Sequence, residues 1–132
     1  MFLTIEIRVL QMESKIKHLE FVQTIIGRMA QNSFLLKGWL MTLALATISL
    51  TKVTQSVAYL YLVIFIFFLL DSYFLYQEKN FRDLYDRVRL GKIKTFEIRA
   101  QYNFKNGFKA IFSIPNLLFY LLVAVVVIFS KS

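Results

Sequence analysis

The sequence FLLKGWLMTLALATISL at residues 34–50 is followed, after the short break TKVTQ, by SVAYLYLVIFIFFLLDSYFLY at residues 56–76. A transmembrane helix needs about 20 mainly apolar residues to cross about 30 Å of hydrocarbon. Both runs approach that length, and the break between them is long enough only for a tight reversal of the chain. These residues therefore predict an antiparallel transmembrane hairpin.

A third apolar run occupies residues 114–130, with Pro115 in the first helical turn, where proline is tolerated. From Leu117 to Phe129 the run offers no obvious polar group, so we expect it to face lipid or to pack by shape alone. The chain is 58% hydrophobic, above the 45–50% or so of soluble domains. We predict an all-α membrane protein with transmembrane helices near 34–50, 56–76 and 114–130.

The second span continues without an obvious stop into QEKNFRDLYDRVRL at residues 77–90, and Gly91 then fits a helix C-cap. This extension has a heptad-like seam, which predicts either a short coiled coil or packing on the N-terminal helix. Opposite charges four residues apart also predict salt bridges along it. The seam positions are Phe74, Gln77, Phe81, Leu84 and Val88, and the predicted pairs are Glu78–Arg82, Lys79–Asp83 and Asp83–Arg87.

The N-terminal region predicts an amphipathic helix within residues 12–33, with Ser14 as its cap. Its apolar stripe is formed by Ile16, Leu19, Val22, Ile26 and Met29. Such a helix can lie on the inner leaflet, pack on the other cytoplasmic helix, or run directly into the first span. His18, the only histidine, is predicted to be an ordinary surface residue. Met12 is an alternative start, which would make residues 1–11 an upstream extension.

Residues 96–104 alternate strictly between apolar and polar side chains, which predicts a short extended segment with one apolar face. Asn106 and Gly107 follow as a turn signal. A lone strand needs a partner, which could be the short piece after the turn, the cytoplasmic helices or a strand from another copy. We favour the alternative that residues 105–113 form a short interfacial helix with Lys105 and Lys109 on its polar side.

The charge distribution predicts the orientation in the membrane. The net charge is +8, and all sixteen Lys and Arg residues except Lys52 and Lys131 lie before or at the mouth of the first span or between the second and third. The positive-inside rule then gives a cytoplasmic N-terminus, a cytoplasmic central region and an exterior C-terminus. We predict a single membrane domain over residues 1–132, composed of the amphipathic helix (12–33), the hairpin (34–76), a basic cytoplasmic region (77–113) and the third span (114–130).

Lys37 and Asp71 lie about 16 and 17 residues from the centre of the hairpin, so they are at nearly the same depth near its cytoplasmic end. Each charge alone would be costly there, whereas paired charges neutralise one another. We predict an intramembrane ion pair, within one chain or between subunits, against the alternative that each side chain reaches the headgroups independently. Trp39 and Tyr73 are the predicted interface anchors.

The sequence carries no pattern that predicts catalysis. It has no cysteine, a single histidine, no Gly-rich phosphate loop and no Ser/His/Asp set, so we expect no cofactor, no metal site and no enzyme activity. Acidic residues interleave with the basic ones after residue 77, which makes nucleic acid an unlikely partner. We expect contact with anionic lipid headgroups, and we predict a face for a cytoplasmic partner or ligand formed by Arg82, Arg87 and Arg89.

A resemblance rests on two clusters of residues. The first is Asn32-Ser33-Phe34 with Lys37-Gly38-Trp39, and the second is Leu70-Asp71-x-Tyr73, Glu78, Phe81-Arg82, Leu84-Tyr85 and Val88. Together they resemble a pattern of small, mostly uncharacterised bacterial membrane proteins over roughly residues 17–89. By analogy the chain is also similar to the two-span membrane effectors of antiphage defence. That resemblance implies oligomers that breach the inner membrane when triggered.

Two functions remain open at this stage. The first is a small oligomeric inner-membrane protein that acts as a membrane-disrupting or channel-like effector. Thr42, Thr47 and Ser49, together with the Lys37–Asp71 pair, would then line or brace a path. The second is a membrane anchor or adaptor that recruits a cytoplasmic partner protein. No separate sensor domain is apparent, so a triggered effector would also depend on a partner. In either case we expect a homo-oligomer.

Overall fold

The computed structural model describes residues 1–50, 58–92 and 98–130 of the chain. It is all-helical, and these residues contain no β-strand. The predicted turn at 51–55, the first two residues of the predicted second span and the start of the predicted extended segment, 96–97, lie outside them. The four helices are α1 (Phe2–Leu50), α2 (Ala58–Arg89), α3 (Phe104–Ile111) and α4 (Ile114–Ser130).

Helix α1 runs without interruption through both the predicted N-terminal helix and the predicted first span. At 1.5 Å per residue its 49 residues extend about 74 Å. The prediction that Ser14 caps a helix is wrong, because the helix begins at Phe2 and the Ser14 hydroxyl donates to the Leu10 carbonyl oxygen at 2.8 Å. No proline interrupts α1, so the helix propagates through Ser14 and through the weak breaker Gly27.

Helices α1 and α2 pack antiparallel along a seam whose positions recur at three- and four-residue steps, as in coiled coils. The buried positions of α1 are His18, Val22, Ile26, Ser33, Leu40 and Ala44, and those of α2 include Leu60, Ile64, Asp71, Gln77, Leu84 and Val88. The prediction that His18 is a surface residue is wrong, because its place on this stripe leaves it only 8% exposed. The predicted heptad seam of α2 packs on α1 of the same chain.

The seam contains two hydrophobic clusters with polar residues between them. We call the part of the hairpin beyond the polar residues, residues 15–32 of α1 with residues 77–89 of α2, the stalk. Its cluster joins Val22 and Ile26 to Leu84 and Val88. The other cluster joins α1, α2 and α4 in the apolar part of the hairpin, and its buried members are Leu40, Ala44, Leu60, Ile64, Tyr120, Val123 and Val127.

The stalk ends where α2 ends. The Lys15 ammonium donates to the Arg89 carbonyl oxygen at 3.1 Å, so Lys15 is level with the last turn of α2. Gly91 has a φ of +72°, and its amide and that of Lys92 donate to Val88 and Arg87 in a Schellman cap. The predicted C-cap at Gly91 is therefore confirmed. Residues 2–13 of α1 continue past this point and are exposed.

Residues 98–103 form neither a helix nor a strand, and no strand partner exists among the described residues. Asn103 has an extended backbone, and its side chain accepts from the Lys105 amide and so caps α3. The favoured short helix is present, although α3 is shorter than the predicted 105–113. It packs on α2, with Gly107 close to the Tyr76 ring.

Among the residues that the structure describes, three helical segments are long and apolar enough to cross a membrane, namely Phe2–Leu50, Ala58–Arg89 and Phe104–Ser130. Their outward surfaces carry large apolar side chains, which is the arrangement that lipid contact requires. Examples on α2 and α4 are Leu62, Phe65, Leu69, Leu121 and Phe129, each at least 49% exposed.

We expect Leu84→Ala to destabilise the stalk by about 2–5 kcal/mol, because Leu84 is 1% exposed and its truncation leaves a cavity against α1. Leu90→Ala is the matched control, since Leu90 is 61% exposed and its truncation should cost much less. Denaturant unfolding of both variants in detergent measures the difference. Equal losses would contradict the packing of the seam.

Candidate functional site

The centre of the hairpin holds a hydrogen-bonded triad of Ser33, Lys37 and Asp71. Ser33 and Lys37 are one turn apart on α1, and both side chains face Asp71 on α2. The Lys37 ammonium forms a salt bridge with Oδ2 of Asp71 and donates to the Ser33 hydroxyl at 3.0 Å. That hydroxyl in turn donates to Oδ1 of Asp71. Each carboxylate oxygen thus has a partner, and the two formal charges cancel.

The two charges differ in burial. Asp71 is fully buried, whereas the Lys37 side chain is 23% exposed. Lys37 also lies over the Phe119 ring of α4, 5.8 Å from the centroid, in cation–π geometry. Lys37 and Asp71, which the sequence predicts to lie at nearly the same depth, are in direct contact within one chain. The triad is therefore a closed, neutral unit inside the hairpin, and Asp71 is not presented to solvent as an acid or base.

Helix α4 is attached to the hairpin at the same level by polar contacts. The Tyr120 hydroxyl donates to the Phe67 carbonyl oxygen at 3.0 Å, and the Asn116 amide approaches the Ser72 hydroxyl at 3.5 Å. Both Tyr120 and Asn116 are buried. The prediction that the third span has no polar group, and so faces lipid or packs by shape alone, is therefore wrong, because Tyr120 hydrogen-bonds to α2 from within it.

The predicted interface anchors lie on the outside of the hairpin, close in sequence to the triad. Trp39 is 64% exposed and Tyr73 is 54% exposed. Each follows its charged neighbour by two residues, Lys37 and Asp71 respectively, and so points away from the seam. The Tyr73 hydroxyl accepts a hydrogen bond from Gln77 at 2.9 Å.

The three arginines predicted as one partner face do not share a face. Arg82 and Arg89 are two turns apart and exposed, and each pairs with its own helix, Arg82 with Glu78 at 2.7 Å and Arg89 with Asp86 at 3.4 Å. Arg87 points elsewhere and donates to the Gln101 side chain at 2.5 Å. The outward face of the stalk is therefore a mixed-charge surface, while Arg87 holds the 98–103 segment.

A second polar cluster, which the sequence did not predict, attaches α3 to α2. The Asn106 amide donates to Oδ1 of Asn80 at 2.9 Å and to Oδ2 of Asp83 at 2.6 Å. Asn80 also accepts from the Asn103 backbone amide at 3.3 Å. Asp83 is thus turned toward α3. Of the three predicted pairs along α2, only Glu78–Arg82 is among the salt bridges of the described residues.

In residues 1–50, 58–92 and 98–130, no three His, Cys, Asp or Glu side chains are grouped so that they could hold a metal ion. Comparison of the chain with protein families, with curated proteins and with solved structures finds no match. The geometry of the triad and the stalk is therefore the basis on which a function is inferred.

Proposed function

We propose that this chain is a non-enzymatic inner-membrane anchor that presents its helical stalk to a cytoplasmic partner protein. The observation that carries the proposal is the seam between α1 and α2, which is packed on both sides of the triad. The stalk is joined to the membrane hairpin by unbroken helices, and residues 15–32 of α1 give it a length of about 26 Å. The positive-inside rule supports a cytoplasmic stalk and an exterior C-terminus.

The outward side of the stalk supports contact with a protein more than with a nucleic acid. Arg82 and Arg89 are each 60% exposed, and acidic neighbours offset their charge. Alternating charges suit a polar protein interface, whereas a phosphate backbone selects an uninterrupted basic track. Phe21 on α1 adds an exposed aromatic side chain, 52% exposed, of the type enriched at interfaces.

A photo-crosslinking residue at Arg82 tests this proposal in cells. We expect a discrete adduct with one cytoplasmic protein, and we expect Arg89→Glu to reduce its yield by about tenfold, because the charge at the interface is reversed. The same crosslinker at Leu62, on the outward face of the candidate span, is the control and should give no such adduct. Vesicles that contain the purified protein should remain sealed to a trapped dye. Dye release by the protein alone would contradict an anchor.

A channel-like effector is the second proposed function, and one observation favours it. The face of α1 opposite the seam carries small and hydroxyl side chains, Gly38, Thr42, Ala46 and Ser49, alongside exposed leucines such as Leu45. Thr42 and Ser49 donate to carbonyl oxygens of their own helix at 3.0 and 2.8 Å. Small residues at four-residue spacing let transmembrane helices approach closely, which supports a homo-oligomer. The buried triad does not contribute to this face, so the effector is less well supported than the anchor.

We expect Gly38→Leu to lower the yield of cross-linked oligomer in membranes by about tenfold, because no atom lies within 4 Å of a Cβ placed there and the added side chain would separate neighbouring copies. Gly27→Leu is the matched control, since Gly27 has equally open surroundings but lies in the stalk. Oligomers that survive Gly38→Leu unchanged would argue against contact through this face.

A further inference from the structure

A groove of about 540 Å³ lies where α2 meets the turn between α3 and α4. Its lining combines two lysines with an aromatic and aliphatic wall. The lining residues are Lys79, Phe108, Lys109, Phe112, Ser113, Ile114 and Pro115. This combination of cationic and apolar groups fits an amphiphile better than it fits a purely polar or a purely apolar ligand.

The two lysines have no ion-pair partner among the described residues. For Lys79 the cause is visible, because Asp83, one turn later on α2, is engaged by Asn106 of α3. Docking of α3 thus removes the acidic neighbour of Lys79 and at the same time brings Lys109 to the other side of the groove. Two unpaired lysines that line one groove attract an anion that both can contact, such as a phosphate.

The apolar wall is exposed although it is aromatic. The Phe108 and Phe112 rings stack with centroids 6.5 Å apart and planes 4° apart. They are 54% and 64% exposed, and Ile114, at the start of α4, is 73% exposed. The Phe104 ring contacts the Phe108 ring edge-on, with centroids 5.3 Å apart, but more than half of each of these side chains is left uncovered by the described residues. They form a continuous apolar surface from the lysines toward the candidate span.

The position of the groove along the hairpin indicates which kind of molecule supplies the phosphate. Lys79 is eight residues after Asp71 on α2, about 12 Å further from the apolar part of the hairpin. Ile114 begins the α4 helix, and Asn116 two residues later contacts Ser72, beside Asp71. With the apolar part of the hairpin in a bilayer, Lys79 would lie at headgroup depth and Ile114 near the level where acyl chains begin.

We propose that this groove binds one anionic phospholipid, with its phosphate between Lys79 and Lys109 and an acyl chain along Phe112 and Ile114. The proposal rests on the proposed membrane location, and it adds a defined lipid site to it. A lipid is the expected source of the phosphate, because the apolar wall leads directly from the lysines to the candidate span. A free phosphate would make no contact with that wall.

Native mass spectrometry of the full chain, extracted from vesicles of phosphatidylcholine and phosphatidylglycerol, tests the proposal. We expect one phosphatidylglycerol to be retained per chain, and the double variant Lys79→Glu/Lys109→Glu to lower that retention by at least about tenfold. The matched control Lys17→Glu/Arg99→Glu has the same net charge but changes two exposed positions outside the groove, one in the stalk and one in the 98–103 segment, and it should retain the lipid. Phe112→Ala should lower retention without changing charge.

Three results would overturn the proposal. They are equal retention by the groove variant and the control, equal retention of phosphatidylcholine and phosphatidylglycerol, and full displacement of the lipid by soluble glycerol phosphate. The last result would assign the groove to a free phosphate. Retention is measured in detergent, so it does not depend on orientation or on a protein partner. Lipid retention without an adduct at Arg82 would therefore count against the anchor proposal alone, and the reverse would count against the lipid site alone.

Discussion

Replacing Lys37 with methionine should lower the free energy of unfolding in detergent by about 3–5 kcal/mol, because it leaves the fully buried Asp71 without its cation. Asp71→Asn should cost less. The Lys37 side chain is 23% exposed, so its ammonium can turn toward the headgroups once the carboxylate is gone. The double variant should be more stable than Lys37→Met alone, since it removes both charges together.

The measurement is a double-mutant cycle from unfolding of the four proteins in one detergent. Lys17→Met and Glu20→Gln serve as controls, because they remove exposed charges of α1 and should each change stability by less than about 0.5 kcal/mol. A cycle in which the two losses simply add would contradict the contact between Lys37 and Asp71 and would favour independent lipid-facing charges.

Substituting leucine for Asn106 is expected to release α3 from α2. The change removes the donor to both Asn80 and Asp83, and unsatisfied buried polar groups cost about 1–3 kcal/mol each. A loss of about 2 kcal/mol of local stability corresponds to about 30-fold faster amide hydrogen exchange in α3. Exchange in the seam of α1 should stay unchanged, because the stalk cluster does not contain Asn106.

Lys105→Leu is the control for this second experiment, since Lys105 lies on the same helix and its side chain is exposed. If the amides of α3 exchange at the same rate in the Asn106→Leu and Lys105→Leu variants, the polar cluster does not hold α3 in place. The result also bears on the lipid groove, because docking of α3 is what brings Lys109 opposite Lys79.

The hairpin and its ion pair could be predicted from the sequence because both follow from one-dimensional rules. Apolar length predicts the spans, and equal distance from the break predicts that Lys37 and Asp71 meet. The glycine cap at Gly91 is likewise a local signal, since the αL conformation favours glycine. These features depend on helical geometry alone, and that geometry is the same in every helix.

The errors arise where tertiary contacts decide the outcome. His18 is buried because it continues the stripe of Val22 and Ile26 at four-residue spacing. The sequence contains this spacing, but the usual exposure of a lone histidine favours the wrong prediction. A tyrosine in an apolar run shows no partner until α4 is placed beside Phe67, so the sequence around Tyr120 predicts a span that faces lipid or packs by shape alone.

The Asn80–Asn106 contact could not be predicted for the same reason. It joins residues 26 positions apart across a segment of the chain that has no regular structure between 98 and 103. Neither asparagine stands in a pattern that specifies a partner, and hydrogen bonds of this kind depend on side-chain placement after the helices have packed. The Asn106 amide also donates to Asp83 and turns that carboxylate toward α3, which is why the predicted Lys79–Asp83 pair is not formed.

Labelling of single cysteines from each side of the membrane would test most directly whether the stalk is cytoplasmic and joined to a three-span unit. The chain has no cysteine of its own, so each introduced thiol gives an unambiguous signal. We predict that cysteines at Glu20 and Arg82 react only from the cytoplasmic side, one at Ser130 only from outside, and one at Leu62 from neither. Cysteines at positions 82 and 130 that react from the same side would contradict a cytoplasmic stalk joined to a three-span unit.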